Sequence, residues 1–192
     1  MIGISLALAG GLLLFLLPEA RKLRADFFLL GAAFMLIEVK AVTELALVFG
    51  ATWFVNALAV LGILLVALAA NLWVQYHPRF SLKGTYAMLL VSIVLGYLFP
   101  VSALLDLTLL LRGPLAVLLL CAPVFFAGLI FSTLLRRQRS VESAFGSNLF
   151  GAMVGGFMEY SSLALGIKSL YVLAAGLDAV SFLSARAWGG KG

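Results

Sequence analysis

The stretch FFLLGAAFMLIEVKAVTELALVFG, residues 27–50, decides how this chain folds. It has the length of a membrane-crossing helix, for which about 20 apolar residues suffice. Yet it holds Glu38, Lys40 and Glu44, and a charged side chain near the bilayer centre costs at least about 2.5 kcal/mol on insertion scales. At a rise of ~1.5 Å per residue, Glu38 lies about 16 Å from the basic end of the segment, close to the bilayer middle. Glu38 and Lys40 are two positions apart, about 200° around a helix, and do not face one another. Lys40 and Glu44 are i and i+4 and share a face on which they can pair. A helix with two polar faces has to be enclosed on both, which places this segment inside a bundle rather than on its rim.

The rest of the chain supplies the neighbours. Of 192 residues, 64% are hydrophobic and 11% charged, against about half and about a quarter in an ordinary soluble domain. The composition predicts an all-α integral membrane protein, one transmembrane helical bundle over residues 1–192. The net charge of +5 does not point to nucleic acid, because the basic residues sit in short loops between apolar runs rather than on a water-exposed face with aromatics. The single cysteine, Cys121, lies in an apolar run, so neither a disulfide framework nor a metal-type cysteine spacing is present, and a small buried filler is its expected role.

Seven spans are expected, at about 2–17, 27–50, 54–74, 84–104, 114–135, 141–165 and 168–188. The first is closed by Pro18, and its positive charges, Arg21, Lys22 and Arg24, follow the apolar run. A signal peptide carries them before it, so this segment reads as a retained helix. Pro100 interrupts the end of the fourth span, and Leu107–Leu111 reads as a short interfacial piece. Pro114 stands at the favoured first position of the fifth span, with a kink expected at Pro123. With this count, ten Lys and Arg (21, 22, 24, 79, 83, 136, 137, 139, 186 and 191) fall on one side and only Arg112 and Lys168 on the other. That bias predicts an amino terminus outside and a cytoplasmic carboxyl terminus in a bacterial inner membrane.

The segment 141–165 offers a complement to 27–50. Asn148, Gly151, Gly155, Glu159 and Ser162 follow a 3-4-4-3 spacing, and Gly151 with Gly155 forms a small-xxx-small step that admits a close neighbour. Gly31 and Gly156 are expected at helix contacts too, as are Gly10 and Gly11. Asp178 adds a carboxyl near the middle of the last span. Four intramembrane acids, Glu38, Glu44, Glu159 and Asp178, thus face one base, Lys40. Some acids must be protonated or wet, and Lys40 or a shared proton is expected to mediate between the acids of the two helices. These groups form either a proton or cation path or a polar network that fixes which helices pair, and the network is the reading preferred. His77, the only histidine, is a candidate ligand for a porphyrin-type pigment or metal, against the favoured alternative of a surface-loop histidine beside Pro78. No metal site, phosphate-binding loop or catalytic constellation is expected.

Three blocks carry a family likeness: G-x-x-F-M-L-x-E at Gly31 to Glu38, F-G-x-T-W-x-V-N at Phe49 to Asn56, and F-G-x-N-L-x-G-A-M-x-G-G-x-x-E-Y at Phe145 to Tyr160. In these the chain resembles the carboxyl-terminal membrane region of bacterial polytopic spermidine-synthase-like proteins. The resemblance implies a membrane fold and marks Glu38, Asn56, Asn148 and Glu159 as motif positions. It adds Asn56 and Asn148 to the expected buried polar network. It does not imply polyamine synthesis, because the nucleotide-cofactor domain behind that label, with its Gly-rich strand-to-helix turn, has no counterpart in this sequence.

The expected function is therefore that of a non-catalytic accessory or scaffolding subunit of a larger inner-membrane complex, photosynthetic or respiratory, in contact with lipids and other integral membrane subunits. No cofactor is required by the residues, though lipid or pigment contact is compatible with them. The alternative is a small transporter or proton-conducting or cation-conducting protein using the buried acids. A membrane part of a polyamine-related enzyme ranks third.

Overall fold

A computed structural model of the chain describes residues 23–77, 81–99, 101–138 and 140–189. These residues fold into helices, with no strand among them. The long ones are α1 (Ala25–Phe49), α2 (Trp53–Tyr76), α3 (Leu82–Leu98), α4 (Leu109–Leu135), α5 (Val141–Met158) and α6 (Ser169–Gly189). The expected first span at 2–17, with Gly10 and Gly11, lies outside the described residues, as do Pro78 to Phe80 and the tail from residue 190. Two helices, Trp53–Tyr76 and Leu110–Leu135, are long and apolar enough to cross a membrane, each with a mean hydropathy of 2.5.

Local chemistry sets the helix ends, and it shifts several expected boundaries. Gly50, at φ 98°, stops α1 in a conformation that a side chain would strain. Thr52 then caps α2 by accepting from the Val55 N–H at 3.2 Å. The span expected to reach residue 104 ends at Leu98. Pro100 follows Phe99, and a residue before proline is pushed out of the helical region; Phe99 accordingly sits at φ −76°, ψ 121°. The chain re-forms only as a 3₁₀ turn, Val101–Leu104.

The next helix begins at Leu109 rather than Pro114, so the apolar piece 107–111 is mostly its first turn and not a separate interfacial helix. Proline's fixed φ suits a helix, and the cost of its missing N–H is small near an end where Leu110 is 87% exposed. The span 141–165 is an α-helix only to Met158. It tightens into a 3₁₀ turn at Glu159–Ser161, adds one turn at Ser162–Leu165, and stops at Gly166, φ 83°.

α1 is the centre of the bundle. Phe27, Leu30, Ala33, Leu36, Ile37, Lys40, Ala41, Glu44 and Val48 are all buried, which covers most of its circumference. It packs most extensively on α5 and α6, and also on α4 and α2, while α3 lies against α4 and α6. α5 runs parallel to α1 at backbone contact. A Cβ on Gly31 would overlap the Asn148 carbonyl, one on Gly151 the Phe28 carbonyl, and one on Gly155 would stand 2.5 Å from the Ala32 carbonyl. Such close approach is what small residues permit in helix pairs without a hydrophobic driving force.

Gly156 does not take part. A Cβ there meets nothing within 4 Å, because a position one residue from Gly155 points about 100° away. Replacing Gly151 by Leu should therefore separate α1 from α5 and destabilise the chain by at least about 3 kcal/mol. Gly156→Leu should stay within about 0.5 kcal/mol. Thermal unfolding of both variants in mild detergent checks this, and equal losses would contradict the contact.

Candidate functional site

The polar groups that the bundle gathers lie between α1 and α6. Lys40 and Glu44 form an ion pair one turn apart on α1. Lys40 is fully buried and Glu44 is 4% exposed. The Lys40 ammonium also stands 4.3 Å from the centre of the Tyr171 ring on α6. A buried ammonium is tolerated only with a paired charge; the carboxylate supplies that, and a desolvated aromatic face adds about 2 kcal/mol. The ring itself is seated by α3, where a Cβ on Gly96 would come 2.8 Å from Tyr171 Cε2. Glycine at 96 lets the hydroxyl-bearing edge of the ring approach the α3 backbone. Among the described residues, neither Glu44 Oε2 nor the Tyr171 hydroxyl has a hydrogen-bond partner.

α6 extends this cluster along its length. Tyr171, Ala174, Asp178 and Ser181 are each 0% exposed, and their 3-4-3 spacing puts them on one face. Ser181 Oγ donates to the Asp26 carbonyl at 2.9 Å and lies 3.1 Å from the Tyr86 hydroxyl. One serine thus ties α6 to the first turn of α1 and to α3. The Asp26 carboxylate is held by Arg24 at 2.9 Å. Arg24 in turn reaches Gln138 at 2.6 Å, and its backbone N–H donates to Ser147 at 2.9 Å. This corner fastens the start of α1 to the α4–α5 connection and to α5. Between the corner and the Lys40–Glu44 pair lies Asp178, whose two oxygens have no hydrogen-bond partner among the described residues. Tyr171 to Ser181 spans about 15 Å of helix, so a polar column follows the α1–α6 seam.

The expected network is only partly this column. Lys40, Glu44 and Asp178 belong to it. Lys40 does not mediate between the acids of α1 and the segment 141–165; it pairs within α1 and faces α6. The reason is the helical register: Lys40 is nine residues, about 180° around α1, from the Gly31 contact with α5. Glu38 and Glu159 are half-buried, and neither has a hydrogen bond or ion pair among the described residues. Asn148 does join α1, donating from Nδ2 to the Phe27 carbonyl at 3.3 Å. Asn56 is exposed rather than buried: it sits in the first turn of α2, ahead of that helix's buried stripe of Ala59, Ile63, Ala70 and Val74.

His77 is exposed at the end of α2, stacked on Trp73 with centroids 4.6 Å apart and Nδ1 3.3 Å from the Trp73 carbonyl. Cys121 is buried. Among the described residues no group of three His, Cys, Asp or Glu side chains is placed to hold a metal ion.

Sequence reasoning missed Asp26, Tyr86, Tyr171 and Ser181, and counted Arg24 only as a loop charge. The α6 members had a signal, polar residues at 3-4-3 spacing within an apolar run. Asp26 and Tyr86 stand near the starts of their helices, where polarity carries little information. Asn71 on α2 and Ser132 on α4 also hydrogen-bond, and Arg136 donates to the Val74 carbonyl at 2.5 Å, which pins α2 to α4.

Ser181→Ala removes the donor to Asp26 and the Tyr86 partner together, and should cost about 1–3 kcal/mol in detergent melts. Tyr86→Phe, which leaves the Asp26 bond in place, should cost about 1 kcal/mol. Unchanged melting in both variants would mean that the serine does not join the three helices.

Neither a protein-family model, nor a curated protein, nor a solved structure matches the chain, so the reading that follows rests on the column's own chemistry.

Proposed function

We propose that the chain is a multi-pass bacterial inner-membrane protein that serves as a non-catalytic accessory or scaffolding subunit of a larger membrane complex. In this reading all the long helices cross the bilayer, the basic loops face the cytoplasm, and the likeness to the membrane region of spermidine-synthase-like proteins reflects a shared membrane fold. The observation that carries the proposal is the Lys40–Glu44 pair. Two buried charges of the bundle neutralise one another inside it, under the Tyr171 ring. Their charges are balanced within the bundle without a substrate.

The outer surface supports the same reading. Leu58, Leu61, Leu65, Leu68 and Leu72 of α2 are each at least 44% exposed, and their 3-4-3-4 spacing makes one continuous apolar face. Monomeric soluble proteins rarely expose contiguous apolar patches beyond a few hundred Å². A leucine row at this spacing is suited to lipid or to the helix of a neighbouring subunit.

Changing the pair as a unit tests the proposal. Replacing a buried ion pair by apolar residues of similar volume is often neutral or stabilising, whereas removing one partner costs about 3–5 kcal/mol. Lys40→Met combined with Glu44→Leu should therefore melt like the parent and co-purify with the same membrane subunits, while Lys40→Ala alone should unfold readily. A double variant that folds but loses its partners or an ion flux would overturn the proposal.

A second reading, proton or cation handling, is favoured by one observation, the partnerless Asp178 carboxyl in the seam. It predicts that the chain dissipates a pH gradient in liposomes and that Asp178→Asn abolishes this. The scaffold reading predicts no dissipation by either protein, with Asp178→Leu equal to or more stable than the parent.

A further inference from the structure

A groove of about 360 Å³ lies between α3, the 3₁₀ turn and α4, within the range of about 300–1,000 Å³ that small ligands occupy. Leu95, Phe99, Leu104, Leu107, Leu115 and Leu118 form most of its wall. Its one polar residue, Ser92, already donates to the Leu89 carbonyl at 2.7 Å. The groove therefore offers nothing for a polar ligand to bond along its length.

Its end is different. Arg112, one turn before Leu115 on α4, points Nη2 at the carbonyls of Leu105 (3.1 Å) and Leu107 (3.3 Å), so the guanidinium is fixed beside the groove wall. Its Nε is buried without a hydrogen-bond partner, and its Nη1 donates to nothing among the described residues. Asp106, the acid of this segment, is exposed and makes no ion pair with Arg112 among the described residues. An apolar channel with a fixed cation beside its wall suits one kind of occupant.

We propose that this groove binds an anionic phospholipid, with an acyl chain against the leucines and its headgroup phosphate on Arg112. The N–H groups of Nη1 give a phosphate charge-assisted hydrogen bonds. The anionic form is selected because a zwitterionic headgroup brings its own cation toward Arg112.

The inference rests on the membrane reading, and the two fail separately. In the test, the full chain is purified in a neutral detergent and melted with dioleoyl phosphatidylglycerol or dioleoyl phosphatidylcholine. At a lipid level a hundredfold above its Kd, phosphatidylglycerol should raise Tm by about 5–10 °C, and phosphatidylcholine by clearly less. Arg112→Gln should erase the difference, Arg112→Lys should keep much of it, and Leu118→Trp, which fills the groove from a largely exposed position, should weaken the response to both lipids. Equal responses to the two lipids, or a preference that survives Arg112→Gln, overturn the site. So does a lipid-insensitive dimer that Leu118→Trp splits, since a second copy would then cover the groove. Release of the chain from membranes by alkaline carbonate would overturn the membrane reading, and the lipid site with it.

Discussion

A lysine ammonium in an apolar interior cannot stand alone, because the effective cost of desolvating it runs to several kcal/mol. Lys40 is 0% exposed at the centre of α1, and much of the architecture follows from that placement. The carboxylate comes from one turn along the same helix, at Glu44, because Lys40 points about 180° away from the Gly31 face that meets α5. The ring over the ammonium comes from α6, at Tyr171, and needs Gly96 of α3 behind it. One buried charge thus fixes the depth of three helices relative to one another. The Arg24–Asp26–Ser181 corner fixes the same helices at the other end of the seam. Two anchors about 15 Å apart along α6 leave little freedom for sliding or rotation.

The outside of the bundle obeys the opposite rule. α2 buries only Ala59, Ile63, Ala70 and Val74 and turns its leucines outward. Its few polar links, Asn71 with Ser132 and the Arg136 contact to the Val74 carbonyl, face α4. A helix with its polar atoms inward and its leucines outward is built for a solvent as apolar as lipid, in which helix association depends on close packing and internal hydrogen bonds. In the proposed membrane reading, interior polarity and exterior leucine are two results of one solvent. The proposed lipid groove is the place where that exterior becomes concave and acquires a cation.

Much of this was legible in the residues. The 3-4 periodicity of small residues at 148, 151 and 155 identified the contact face of α5, and three charges in a membrane-length segment required α1 to be enclosed. The i,i+4 spacing of Lys40 and Glu44 made their pairing readable as well. Less legible was which face each charge would meet. Gly155 and Gly156 look alike in sequence, but only one can face α1. Glu44 and Glu159 look alike in depth by sequence, but Glu44 pairs with Lys40 on the side of α1 that faces α6. Tyr86 and Tyr171 were hidden because a tyrosine in an apolar run has the same spelling whether it meets lipid, a lysine or a serine. The helix ends near Pro100 and Pro114 turned on whether proline stops or starts a helix, which depends on the residue before it and on exposure at the end.

The central claim is that Lys40 is neutralised inside the bundle by its own helix. Rotational-echo double-resonance NMR on the chain in lipid bilayers, with 15N-lysine side chains and 13C-glutamate carboxylates, reads that contact directly. The account predicts one lysine Nζ coupled to a glutamate carboxyl at under about 4 Å, with the coupling lost in Glu44→Gln and retained in Glu38→Gln. A Lys40 that shows no carboxylate coupling, or one that loses it only with Glu38 or Glu159, would contradict the account.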